Sequence, residues 1–96
     1  MEIVIFVKRE DYSKVRDILM KDDTISKATI IFKDASSLGF KRDGYYCYIS
    51  GLEETCKKAK ELLKGIAIVP DEWEDVMKKI KMEEESAIEG FGGIFG

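Results

Sequence analysis

Between Asp34 and Asp43 the chain reads Asp-Ala-Ser-Ser-Leu-Gly-Phe-Lys-Arg-Asp, and its ligand-capable residues crowd together there. Ser36 and Ser37 offer hydroxyls, Lys41 and Arg42 offer cations, and Gly39 lets a ligand approach the backbone. Hydroxyls, free amides and cations in one loop are what a phosphate or carboxylate requires. These five residues are therefore the candidate site for a small anionic metabolite.

Other chemistry has little to stand on. The 96 residues include no histidine, which removes the usual general base near neutral pH. Neither G-x-x-x-x-G-K-[ST] nor G-x-G-x-x-G occurs, and Gly90, Gly92, Gly93 and Gly96 cannot form such a loop because no helix follows them. The Asp and Glu pairs fall on charged helix surfaces. Cys47 and Cys56 are too few for a zinc site without histidine, and both fall at positions read as buried. No catalytic residue, metal site or cofactor is expected, and the chain reads as a non-enzyme.

Composition narrows the class. A length of 96 residues is one domain, with 45% hydrophobic residues and enough apolar material for a core. The net charge of −3 argues against nucleic acid as the main partner. Eight acidic residues against three lysines between Pro70 and Glu89 leave −5 there and +2 on the rest. No apolar run is long enough to span a membrane and no basic leader precedes Ile3, which suggests a cytoplasmic protein. The absence of Asn and Gln beside abundant Lys and Glu resembles thermophile composition.

The elements that must position the loop follow from periodicity. Ile3 to Val7 is an apolar, β-branched strand. Tyr12, Val15, Ile18 and Leu19 give residues 11–21 helical spacing. Ala28 to Lys33 and Gly44 to Ile49 are strands, joined as an antiparallel hairpin by the 34–43 loop. Ser50-Gly51-Leu52-Glu53 matches a capping box, followed by a helix with its apolar stripe at Leu52, Cys56, Ala59, Leu62 and Leu63. Gly65 stops it, and Ile66 to Val69 is a short strand closed by Pro70. A third helix is predicted from Asp71 to about Ile88, with Trp73, Val76, Met77 and Ile80 on one face. Residues 1–89 are read as one α+β domain, and 90–96 as a flexible or partner-docking tail rich in Gly and apolar residues.

The order β-α-β-β-α-β predicts a ferredoxin-like sandwich with an added C-terminal helix. Its helices cover one sheet face. Alternation puts Ile3, Ile5, Val7, Ala28, Ile30, Phe32, Tyr45, Cys47 and Ile49 on the helix side. The opposite face then carries Val4, Phe6, Ile31, Tyr46 and Tyr48. So large an apolar patch needs a cover. The chain's own C-terminal segment is one candidate, and a second copy of the chain, sheet to sheet or edge to edge, is another.

Single-stranded RNA is the third. Phe6, Tyr46 and Tyr48 occupy positions similar to those of the base-stacking aromatics of an RNA-recognition motif. Gly44 and Tyr45 depart from that family's strand-three pattern, and Asn-Leu is missing after Ile5-Phe6-Val7-Lys8. Residues 7–16, Val-Lys-Arg-Glu-Asp-Tyr-Ser-Lys-Val-Arg, are also loosely similar to the strand-one end and first helix of PII-type signalling proteins. That family is ferredoxin-like and carries a long ligand-responsive loop where 34–43 falls, which would imply a sensing role.

The combined expectation is a homo-oligomeric binding or regulatory module. Its protein contacts would come from Val4, Phe6, Ile31, Tyr46, Tyr48 and Trp73, and from Phe91, Ile94 and Phe95 of the tail, which could dock on a protein partner. RNA binding on the open face is the alternative.

Overall fold

The structure, a computed structural model, describes the backbone of residues 1–95 and the side chains of residues 1–84. Its regular elements are β1 (Glu2–Lys8), α1 (Tyr12–Lys21), β2 (Thr29–Asp34), β3 (Gly44–Ser50), α2 (Glu53–Leu62), β4 (Ala67–Ile68) and α3 (Trp73–Phe95). Short 3₁₀ turns at Arg9–Asp11, Ile25–Lys27 and Ser36–Leu38 fill the connections.

The four strands form one antiparallel sheet in the order β2-β3-β1-β4. β1 is central because Ile3 to Val7 are buried on both faces. It pairs with β3 along its whole length, from Glu2 opposite Ser50 to Lys8 opposite Gly44. β4 reaches only Phe6 and Val7 before Pro70, which has no N–H to donate, turns the chain away.

Two cores lie on opposite sides of this sheet. Ile3, Ile5, Val7, Cys47 and Ile49 pack under Val15 and Leu19 of α1 and Cys56 and Ala59 of α2. Val4, Phe6, Tyr46 and Tyr48 pack under Val76 and Ile80 of α3, with Trp73 and Met77 partly buried beside them. The expected division of strand residues between the faces is therefore the observed one. The sheet is a middle layer, and its helices are not confined to one side.

Local expectations fare less evenly. The capping box does not form: Leu52 is the N-cap of α2, with no side-chain hydrogen bond, and Ser50 ends β3 opposite Thr29. Pairing in the sheet holds Ser50 extended, so the helix starts later and Glu53 falls too early to reach back. Leu52 and Leu62 are consequently exposed, while Cys56, Ala59 and Leu63 are buried. β4 is shorter than the apolar run 66–69 suggests. α3 runs on to Phe95 rather than ending near Ile88. Its glycines weaken helix propensity, and this is why the sequence suggested an earlier stop.

Because Ile80 is fully buried beneath the sheet, Ile80→Ala is expected to destabilise the protein by about 3 kcal/mol. Met82, two residues on and 65% exposed, should tolerate alanine within ~0.5 kcal/mol. Urea unfolding of the two variants measures both.

Candidate functional site

The aromatic face is closed from within the chain. Tyr46 is 0% exposed, Val4 1%, Tyr48 7% and Phe6 8%, and Ile31 and Trp73 pack against the same cluster. Phe6 and Phe40 each meet the Tyr46 ring edge-on, at 5.6 and 5.4 Å. Val4, Phe6, Tyr46 and Tyr48, expected at an interface, are instead covered by α3 and the 34–43 loop, while Ile31 and Trp73, expected there too, are only partly buried. The physical reason is the apolar stripe of α3, which supplies the cover in cis. The three rings expected to stack on RNA bases, Phe6, Tyr46 and Tyr48, lie inside this core. Phe91, Ile94 and Phe95 lie outside the residues whose side chains are described.

The loop is internally committed. Asp34 Oδ1 accepts hydrogen bonds from both the amide (2.9 Å) and the hydroxyl (2.7 Å) of Ser36, and the Ser37 hydroxyl donates to the Asp34 carbonyl at 2.7 Å. Gly39 ends the resulting 3₁₀ turn at φ 86°, the left-handed region where glycine avoids strain. Lys79 of α3 closes the turn from outside, donating to the Leu38 carbonyl at 2.7 Å, and lies over the Phe40 ring. Three residues expected to cradle an anion thus build the turn itself. The donors of Ser36 also hold the Asp34 carboxyl below its ordinary range, with Arg9 helping.

Arg42 is likewise engaged. Its guanidinium grips Glu72 through Nε to Oε2 (2.5 Å) and Nη2 to Oε1 (3.2 Å), and lies 5.1 Å from the Phe6 ring centre. The Tyr46 hydroxyl donates to the same carboxylate at 2.6 Å. Arg42 and then Tyr46 pull the Glu72 carboxyl down to about 2, while burial, then Glu72, pushes the Tyr46 phenol up. Glu72 therefore joins the loop, β3 and the foot of α3. Its sequence position marked it only as an acid at a helix start, since nothing local shows that two strands away a buried phenol needs an acceptor.

A second cation organises the other side. Arg9, just after β1, bonds Asp43 Oδ1 (2.9 Å), Asp34 Oδ2 (3.1 Å) and the Tyr45 hydroxyl (3.2 Å). These carboxylates, Asp43 foremost, raise the Arg9 pKa further. Gly44 lets this corner close: a Cβ there would meet the Val7 carbonyl oxygen and sit 2.7 Å from Phe6 Cζ. Between the two arginines lies an open cleft of about 360 Å³ lined by Phe6, Lys8, Arg9, Glu10, Arg42 and Asp43. Lys8 and Lys41 are exposed and take part in none of the ion pairs among the described residues. Of the five loop residues singled out from sequence, Arg42 lines this cleft and Lys41 adjoins it in sequence. Lys8 and Arg9 were missed because they belong to another segment.

Outside the cores, the two sheet edges differ. β2 presents Ile30, Ile31 and Phe32 half-buried along a six-residue outer strand. The β4 side carries exposed Leu62, Ile68 and Val69, but its strand has only two residues. No helix among the described residues is long and apolar enough to cross a membrane. No protein-family model, curated protein or solved structure matches the chain.

Glu72 sets a pH dependence. A folded pKa of about 2 against an ordinary 4.5 gives stability that is complete above 4.5 and is lost as the pH falls from there through 2. Glu72→Gln is expected to cost about 2 kcal/mol near neutral pH, the scale of hydrogen bonds to a charged group. The gap between variant and wild type should narrow toward pH ~2, and urea unfolding across the acid range reads it.

Proposed function

We propose that the chain is a small binding and regulatory module with no catalysis of its own, which works by self-association and contacts other proteins through its edges. The observation that carries this reading is the distribution of apolar surface once α3 is in place. The sheet faces are spent, and apolar side chains remain along the edges: Ile30, Ile31 and Phe32 half-buried on β2, and Leu62, Ile68 and Val69 exposed beside β4. A long outer strand with an apolar centre is a ready template for another chain.

The ferredoxin-like description belongs to the same proposal. Read from the β4 edge, the order β4-β1-β3-β2 interleaves two βαβ units, each split by a strand of the other. Cytoplasmic residence fits the two buried free thiols, Cys47 and Cys56.

A small anionic metabolite at the cleft is the second part of the reading, favoured by Lys8 beside Arg9 and Arg42. Because the arginines are held by carboxylates, the lysines and the outward faces of the guanidinium groups would do the binding.

Size-exclusion chromatography with light scattering should give a multiple of the 11.0 kDa chain mass. A monomer at all concentrations overturns the reading. Thermal shift against nucleotides and small polycarboxylates tests the cleft: stabilisation is expected, and it should vanish on Lys8→Ala with Lys41→Ala. Those lysines support no internal ion pair, so the fold should not change.

A further inference from the structure

Proteins usually blunt an outer strand with brevity, proline, charge or a bulge. The β4 edge has such devices: two residues, Pro70 after them, and the Ala67 amide turned into the Leu63 carbonyl at 2.9 Å. β2 has none over its first four residues. Its two charges stand at one end and are drawn away: Lys33 toward Glu83 and Glu84 of α3 (3.4 and 3.7 Å), and Asp34 toward Arg9 and Ser36.

The direction of the β2 backbone can be read. The Ala35 amide donates to the Gly44 carbonyl at 2.9 Å, extending the β2–β3 ladder by one pair. Antiparallel ladders alternate between hydrogen-bonded and non-hydrogen-bonded pairs. Lys33, Ile31 and Thr29 therefore bond toward β3. The amides and carbonyls of Ile30 and Phe32 point out of the sheet.

We propose that β2 pairs antiparallel with β2 of a second copy, about a two-fold axis at Ile31, joining two sheets into one. The inference rests on the self-association reading and names its surface. In this register Ile30 lies opposite Phe32 of the second copy, so the outward amides and carbonyls satisfy one another twice over by symmetry. Ile31 meets Ile31 and Thr29 meets Lys33. Like positions share a face, so both α3 helices lie on one side of the joined sheet.

The neighbouring same-face registers are worse. A shift one way leaves only Thr29, Ile30 and Ile31 of each strand opposed, because the chain is in a 3₁₀ turn by Lys27. A shift the other way sets Lys33 and Asp34 against Ile31 and Ile30. Directly opposed cross-strand pairs carry much of the stability of a strand interface.

The test uses the full chain. Sedimentation equilibrium should show a dimer, and amide exchange should show Ile30 and Phe32 becoming protected as concentration rises, while Ile31 and Lys33 are protected throughout. Thr29 is exposed, so substitutions there spare the core. Thr29→Cys with Lys33→Cys, positions opposed across the seam but four residues apart along one strand, should give a disulfide-linked dimer on mild oxidation. A monomer at every concentration overturns both self-association and this surface. A dimer whose Ile30 and Phe32 amides stay unprotected overturns the β2 edge alone. A dimer in which this cysteine pair does not cross-link overturns the register.

Discussion

A sheet that is apolar on both faces must be buried twice, and everything else in this molecule answers to that constraint. β1 contributes Ile3, Ile5 and Val7 to one core and Val4 and Phe6 to the other. The first two helices can shield only one side. α3 shields the second, burying Val76 and Ile80 against the aromatic floor. Had that helix been polar all round, Tyr46 and Phe6 would face water, and the chain would need a partner merely to keep its sheet dry. Closure in cis frees the protein from that need.

Closing the face also organises the 34–43 loop. Its leucine and phenylalanine, Leu38 and Phe40, fold into the second core, so the loop is anchored by burial as well as by polar contacts. Lys79 and Glu72 then tie it to α3 from two sides. A segment rich in serine, glycine and charge can look like a ligand cradle. Here most of its polar groups satisfy the turn that lets the apolar residues reach inward. The cations left over are Lys41 near its end and Lys8 across the cleft.

Much of the fold was legible in the residues because the period-two alternation of β1 and β3 is strong, and the stripe at Trp73, Val76, Met77 and Ile80 is regular. The partition of the two faces follows from that pattern alone. What covers the second face did not, because an amphipathic helix and an apolar sheet state only that each needs a partner. The capping box failed for a related reason: Ser50 has a local use at a helix start and a distant use opposite Thr29 and Glu2, and the ladder prevails. The site was least legible. Ser36, Ser37 and Arg42 were recognised by type, yet their roles depend on Asp34 and Glu72, whose carboxylates are aimed by tertiary structure.

The Glu72 carboxylate receives the Arg42 guanidinium from the loop and the Tyr46 phenol from the buried floor at the same time. One acid is thus a shared hinge-pin between a surface segment and an interior ring. Any agent that draws Arg42 outward leaves that carboxylate short of its main counter-charge, which loosens the footing of the helix that roofs the aromatic rings. Rearranging the loop and lifting the roof are therefore energetically linked through one shared carboxylate.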